Sequence, residues 1–346
     1  GQASSNTLDN GALHLALESA KNLARLQPEN PDCKSLPGPQ PIPESVSFSE
    51  ATAGCTPEQR ARGVGTICQM APHAGFSASG ALTASVVEMA VANSLGVSAY
   101  VPTTFAEINT VVMGDTSAGY ASALALDFDE LDFEAIGKEA LAKCAHSQNP
   151  QTQDPGDYPV ILEPYAVQDI VQMMSYVGFG AVAFQEGRSF MTGKLGRQVV
   201  DPRVSIWDDG LSADTIPWPF DCEGVPKQRV GLIENGIARG VVYDSYSAGK
   251  EDGMTSTGHA VPPPNTLGPF PLNMHFAPGD ATLEDMIRST ERGIYVTRFH
   301  YTRPVEPVRV VITGMTRDGT FLIRDGEIAY PVKNLRFTQS LSLIHI

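Results

Sequence analysis

Two stretches of common design constrain this chain most. Gly231-Leu232-Ile233-Glu234-Asn235-Gly236-Ile237 and Phe321-Leu322-Ile323-Arg324-Asp325-Gly326-Glu327-Ile328 each set an Asn-Gly or Asp-Gly pair between apolar runs. A two-residue type I′ turn needs positive φ at both central positions, which Asn, Asp and Gly adopt at least cost. Both stretches therefore predict β-hairpins. Residues 308–313, rich in Val and Ile, predict a further strand. Residues 283–292 predict a helix started by Asp280 or Thr282, with Glu284 and Asp285 in its first turn. The span 158–340 is expected to be a mostly antiparallel β domain with hairpins and a few helices.

The preceding half reads differently. Leu13, Leu17, Ala20 and Ala24 recur at helical spacing, so 11–26 predicts an amphipathic helix. A Pro-rich surface connection follows at 27–43. Thr56-Pro57-Glu58-Gln59 is a helix start, with Thr56 as N-cap, Pro57 at the first helical position and Gln59 three residues on. That helix runs toward Pro72. Val, Thr, Ser and Ala then dominate 76–127, with turn signals at 92–96 and at Gly114-Asp115, which predicts an antiparallel meander. A helix over 132–146 places Phe133, Ile136, Ala140, Leu141 and Cys144 on one side. The segment QNPQTQDPGD at 148–157 reads as a linker. The expected fold class is α+β in two domains, 1–157 and 158–340.

Composition removes several functions. No apolar run is long enough for a membrane span. The net charge of -15 repels phosphate backbones, and no basic cluster in the sequence offsets it, so nucleic acid is not an expected partner. The five cysteines are scattered and form no CxxC pair, which removes zinc-ribbon and thioredoxin readings and fits free thiols in a reducing cytoplasm. Ser77, Ser79 and Ser85 lack a GxSxG context and read as solvent-facing strand serines. The run LSLIHI at 341–346 matches the translation of a transposon adaptor. It is expected to be a scar on a fragment truncated at both ends, so His345 is set aside as a ligand.

The stretch 160–177, VILEPYAVQDIVQMMSYV, predicts a short strand, Pro164 opening a helix, and a helix whose Val167, Ile170, Val171 and Met174 face inward. Around it stand Gly193-Lys194-Leu195-Gly196, Asp208-Asp209-Gly210 and Asp221-Cys222-Glu223-Gly224-Val225-Pro226-Lys227-Gln228-Arg229. Then come Pro278-Gly279-Asp280, Gly293-Ile294-Tyr295-Val296-Thr297-Arg298, Thr316-Arg317-Asp318-Gly319 and Pro331-Val332-Lys333-Asn334. Earlier stand Ser94-Leu95-Gly96, Thr103-Thr104, Ser117-Ala118-Gly119 and Leu131-Asp132-Phe133. In this order the segments resemble the TldD/PmbA family over nearly the whole chain.

The resemblance implies an active subunit with H-E-x-x-x-H on the helix after the strand and a distant Cys in C-G-K-x-G. The imidazoles and thiolate would hold zinc, and the Glu would act on its water. An ungapped match puts Gln172, Met173 and Val177 at the His, Glu and His positions, and Met315-Thr316-Arg317 in place of Cys-Gly-Lys. Met thioether is a soft donor, but Gln and Val do not complete a zinc site with it. The pattern is similar to the PmbA/TldE-like subunit. It implies no catalytic residue and no cofactor in this chain, a zinc-bearing TldD-like partner, and unfolded peptides digested in an enclosed chamber. Peptide is expected to add to a sheet edge through main-chain hydrogen bonds.

Rival readings stay open. A self-sufficient metallopeptidase would draw on His259, His275 and His300 with Glu223, Asp208 or Asp209, although none shows HxH or HxxxH spacing. A binding or assembly protein without a proteolytic partner is the other. Alternation in 295–301 puts Arg298 and His300 on one strand face, where a peptide carboxylate or carbonyl could be gripped beside Tyr301, Arg317 and Asp318. A plain polar strand face, and a simple turn with an ion pair at Arg317-Asp318-Gly319, are the alternatives. Trp207 and Trp218 flank an Asp/Pro-rich loop suited either to a partner interface or to core packing.

Overall fold

The computed structural model describes residues 1–341, so the expected scar at 341–346 lies, apart from Leu341, outside the described residues. The first half holds α1 (Asn10–Arg25), α2 (Glu50–Ala53), α3 (Pro57–His73), β1 (Ser77–Ala92), β2 (Ser98–Met113), β3 (Ala118–Ala125) and α4 (Phe133–His146). Then come β4 (Val160–Leu162), α5 (Pro164–Met174), a π-helical turn (Ser175–Phe179), α6 (Ala181–Gln185), β5 (Ile206–Asp208), β6 (Val230–Glu234) and β7 (Ile237–Ala238). The chain continues with α7 (Ser245–Ala248), β8 (Met274–Phe276), α8 (Leu283–Arg288), β9 (Arg292–Glu306), β10 (Val311–Arg324), β11 (Glu327–Pro331) and β12 (Arg336–Ser340).

The expected meander is the antiparallel sheet β1-β2-β3. Helices α3 and α4 bury Ile67, Ala71, Ile136, Ala140 and Cys144 against Ile108 and Val112 of β2. Their starts are fixed locally. Thr56 and Gln59 form a reciprocal capping box, and the Asp132 carboxylate accepts the Ala135 N–H at 2.9 Å. Helix α1, by contrast, buries none of its residues.

Two further sheets build the second half. One runs β11-β10-β9-β4 with β12 also on β10, and the other runs β7-β6-β5-β8. Between these strands all pairs are antiparallel except β4 with β9. Both hairpin predictions hold: Asn235 and Gly236 have φ of 49° and 78°, Asp325 and Gly326 of 54° and 80°. Phe179, Phe190, Met191, Ile206, Leu232 and Ile233 form one core with Ile312 of β10. Each such side chain contributes about 1.5–3 kcal/mol on full burial. The segment 148–157 is stitched to the end of β11, since Gln151 N–H donates to Pro331 O and Lys333 N–H to Gln151 O.

Three local expectations need correction. The strand read at 308–313 begins only at Val311, because residues 307–310 turn between β9 and β10 with Val310 at φ 46°. The helix read at 283–292 ends at Arg288, because Arg292 already starts β9; its cap is Thr282, in a box with Asp285. The alternation read over 295–301 fails at both ends. Tyr295, Val296 and Thr297 are all buried because both sheet faces are covered, and Tyr301 sits at φ 59° where the β9–β10 register shifts.

Candidate functional site

Strands β9 and β10 carry most of the residues singled out from the sequence. Met315 pairs with His300, Thr316 with Phe299 and Arg317 with Arg298, without a break. Directly opposed residues share a sheet face, so Arg298, His300, Met315 and Arg317 stand on one side and Phe299 and Thr316 on the other. Across the other edge of β10, Met315 pairs with Arg336 and Thr313 with Thr338. Beyond the bulge at Tyr301, Thr313 also pairs with Arg303, which returns Arg303 to the Met315 side. His300, Met315, Arg317, Arg303 and Arg336 are exposed.

A second bulge interrupts β10 at Asp318 and Gly319, with φ of 57° and 139°, where a turn was one of the readings. It turns the Asp318 carboxylate inward, to 4% side-chain exposure, where Arg298 Nε donates to it at 2.5 Å. Arg317 Nε is 3.8 Å from the same carboxylate. The other side of the Arg298 guanidinium covers the Tyr120 ring of β3, 3.9 Å from its centroid. The Arg303 guanidinium covers Tyr301 at the same distance. Burial, with Arg317 and Arg298 nearby, holds His300 below the usual imidazole value, so it is neutral at pH 7. On α5, burial pushes the Asp169 carboxyl above its ordinary range against the pull of Arg298, a detail with no sequence signal.

Pro164 opens α5 as expected, and Val171, Met173 and Met174 are buried with Val177 of the π-helical turn. Met173 and Val177 belong to the core that contains Ile312. Ile312 and Met315 lie three residues apart in regular pairing with β12, so they face opposite sides of β10. Gln172 is exposed on the helix and Met315 is 38% exposed on its strand. These four positions offer one amide, two thioethers and an alkyl group, and the two inward ones point into packed core. They do not fit a zinc ion.

The histidines of the rival reading are separated. His259 is wholly buried, with Nε2 2.8 Å from Asp208 Oδ1 and Nδ1 2.9 Å from Thr257 Oγ1. Asp208 also accepts the Asn273 N–H at 2.7 Å. Thr257 Oγ1 accepts the Tyr243 N–H at 2.8 Å and is no free nucleophile. His275 stacks on Trp207 at 5.2 Å, and the Arg229 guanidinium lies over the Trp207 ring, 5.0 Å from its centroid. Trp218 packs with Val101 and Phe220. Asp209 lies 3.9 Å from Arg229, and Glu223 accepts the Ser245 N–H at 3.0 Å. Among the described residues no three His, Cys, Asp or Glu side chains converge on a metal position. No helix among them is long and apolar enough to cross a membrane. A groove of about 330 Å³ between Ile42, Val46, Tyr100 and Pro219 is lined by no charged side chain.

Residues 37–146 match the model of the PmbA/TldA metallopeptidase central domain, and residues 155–344 that of the PmbA/TldA metallopeptidase C-terminal domain. Over 195 residues, 56% of this chain and 40% of the relative, it is 30% identical to a metalloprotease PmbA homologue of Haemophilus influenzae. Over 157 residues, 43% of this chain and 31% of the relative, it is 31% identical to a metalloprotease TldD homologue of Buchnera aphidicola. Among solved structures, TldE of Thermococcus kodakarensis superposes with a TM-score of 0.84 at 22% identity, over 98% of this chain and 78% of that one. A Thermotoga maritima protein described as a candidate modulator of a DNA gyrase gives 0.85 at 21% identity, with the same coverage. These two likenesses show the fold. The matched segments span 24%, 31% and 33% of the first three curated relatives.

Proposed function

The chain belongs to the TldD/PmbA metallopeptidase family, and we propose that it is the PmbA/TldE-like, non-catalytic subunit of a TldD/TldE-type zinc metalloprotease acting on unfolded peptides. In this reading the zinc ion belongs to a TldD-like partner, the two subunits form a heterodimer or a larger assembly, and the complex is cytoplasmic. This chain supplies wall and substrate contacts, with Arg298, His300, Tyr301, Arg317 and Asp318 at or beside the peptide path. What supports the reading is the donor set at the positions that the family resemblance assigns to zinc and its base: Gln172 and Met173 on α5, Val177 on the π-helical turn and Met315 on β10 offer no imidazole, carboxylate or thiolate. The five free thiols agree with a reducing compartment.

Metal analysis and co-expression test it. The purified chain is expected to hold no stoichiometric zinc and to cleave no casein-type peptide. Co-expressed with an HExxxH-bearing relative, it should co-elute on size exclusion in a zinc-containing, peptidase-active complex. Stoichiometric zinc and peptidase activity in this chain alone, both lost when His259, His275 or His300 is changed to Ala, would overturn the proposal in favour of a self-sufficient enzyme. Peptide binding without any association would leave a binding protein instead.

A further inference from the structure

The exposed face of β9, β10 and β12 concentrates positive charge in an acidic chain. Carboxylates outnumber Lys and Arg 39 to 24 over the whole sequence. On this face, register alone assembles Arg298, Arg303, Arg317 and Arg336 around Met315, with the neutral His300 among them. The Asp318 carboxylate beside them is turned inward and taken by Arg298. Glu306 closes the far end of β9, 3.6 Å from Arg309. The Arg336 side chain has no hydrogen bond or ion pair among the described residues, and the Arg317 side chain keeps only its long approach to Asp318. The Tyr120 ring over Arg298 forms a wall at one end of the face, where the meander abuts the five-stranded sheet. The exposed Tyr301 ring, covered by Arg303, borders the other end.

Resting on the peptide-handling role above, we infer that this face recognises acidic peptide substrate, laid extended along the strands with carboxylates at every second residue. Same-side side chains of an extended peptide recur at roughly 6.7 Å, the spacing that separates Arg298 from His300 and Met315 from Arg317 on their own strands. Arg303, Arg317 and Arg336 carry forked donors that match a carboxylate in two-point contact, while the Arg298 fork is held by Asp318 and marks the inner end of the face. Guanidinium also binds phosphate, but the charge of -15 on the whole chain opposes a long polyanion, whereas a short peptide carries few charges past that field. Met315 and Tyr301 offer apolar contact between the charged points, which suits an unfolded chain of mixed composition.

The test is fluorescence anisotropy with the full chain, alone and in complex with the zinc-bearing partner. The labelled probes are an alternating Glu-Thr peptide, its Gln-Thr and Lys-Thr counterparts, and oligo-dT. The Glu-Thr peptide is expected to bind roughly tenfold or more tighter than Gln-Thr, and to weaken several-fold when salt is raised from about 50 to about 300 mM. Arg317→Glu with Arg336→Glu should abolish that preference, and Arg317→Gln with Arg336→Gln should reduce it, with far-UV circular dichroism and melting midpoint unchanged in both. Equal binding of Glu-Thr and Gln-Thr peptides would overturn the inference while leaving the peptide-handling role intact. Oligo-dT binding that outcompetes the Glu-Thr peptide and is lost in the reversal variant would replace it with a nucleic-acid surface. Failure of every peptide to bind, partner present or absent, would sink both readings.

Discussion

The Arg298 guanidinium lies 3.9 Å from the centroid of the Tyr120 ring, and this contact ties β9 of the five-stranded sheet to β3 of the meander. Tyr120 in turn meets Tyr165 of α5 edge-on at 5.3 Å, and Lys143 of α4 covers the Tyr165 ring at 4.7 Å. Lys143 Nζ reaches Glu139 and Glu163, each at 2.6 Å, and Glu163 accepts the Tyr295 hydroxyl. The two halves are therefore joined by a pair of rings with a cation at each end, and each cation has a carboxylate and a π face against it.

Arg298→Ala is expected to cost more than a surface charge does. It leaves the Asp318 carboxylate buried without its main partner and strips the Tyr120 face, for a loss of roughly 2–4 kcal/mol. Arg298→Lys keeps the charge but loses the planar fork and the stack, for about 1–2 kcal/mol. Urea unfolding followed by circular dichroism gives both values. A loss below about 0.5 kcal/mol for the Ala variant would mean that the pair is no more than a solvated surface contact.

Two glycines of α3 separate helix propensity from packing. A Cβ on Gly65 meets nothing within 4 Å, so Gly65→Ala should stabilise by about 0.5–1 kcal/mol through the unfolded chain alone. A Cβ on Gly63 would come within 2.7 Å of the Phe133 ring of α4. There the overpacking term of about 1–3 kcal/mol outweighs the propensity gain, and Gly63→Ala should lower the melting midpoint. Thermal melts of the two single variants should shift in opposite directions.

Much of this fold was legible because its signals are local. Asn235-Gly236 and Asp325-Gly326 announce their turns by backbone chemistry, and Thr56 with Gln59 announce a helix start by capping. Val310 misleads because a β-branched residue reads as strand while the structure holds it at positive φ. The arginine face was legible only in part, since alternation sets Arg298 beside His300 within one strand but says nothing of Arg303 or Arg336. Residues 298 and 303 share β9 while 317 and 336 lie on β10 and β12, and two bulges together with a β12 that skips past β11 bring them onto one side. The partnership of Asp208 with His259 likewise spans 51 positions, and only the packing of β5 against the 257–260 segment creates it.

That buried pair sets an acid limit on stability. Burial, with Lys227 nearby, holds His259 below its ordinary value despite the Asp208 bond, so the folded imidazole is neutral. Asp208 stays ionised: burial opposes this, but His259, Lys227 and the Asn273 N–H together outweigh it. On unfolding, His259 returns to 6.5 and binds a proton that the folded state refuses, so stability falls as pH drops below that value. The Asp208 contribution is present above 3.8 and is lost at lower pH, as the folded carboxyl finally protonates. The urea midpoint should therefore decline from about pH 6.5 downward, and His259→Gln should flatten the decline between about pH 6.5 and 5. An identical slope in the variant would assign the acid limit to other groups.

Val177 offers the sharpest check on what the α5 region can still do. Its side chain is 5% exposed in the core shared with Met173 and Ile312, so an imidazole placed there is buried away from water. Val177→His should lower stability by roughly 2–3 kcal/mol, the cost of an unpaired buried polar group. If the helix merely lacked ligands, Gln172→His with Val177→His would recover that loss on adding zinc, because binding to the folded state alone raises its stability. Because Gln172 faces solvent while Val177 faces the core, the double variant is expected to stay destabilised at saturating zinc, read as an unchanged melting midpoint. A zinc-dependent rise of several degrees would show that the two positions converge after all and that a metal site can be rebuilt in this chain.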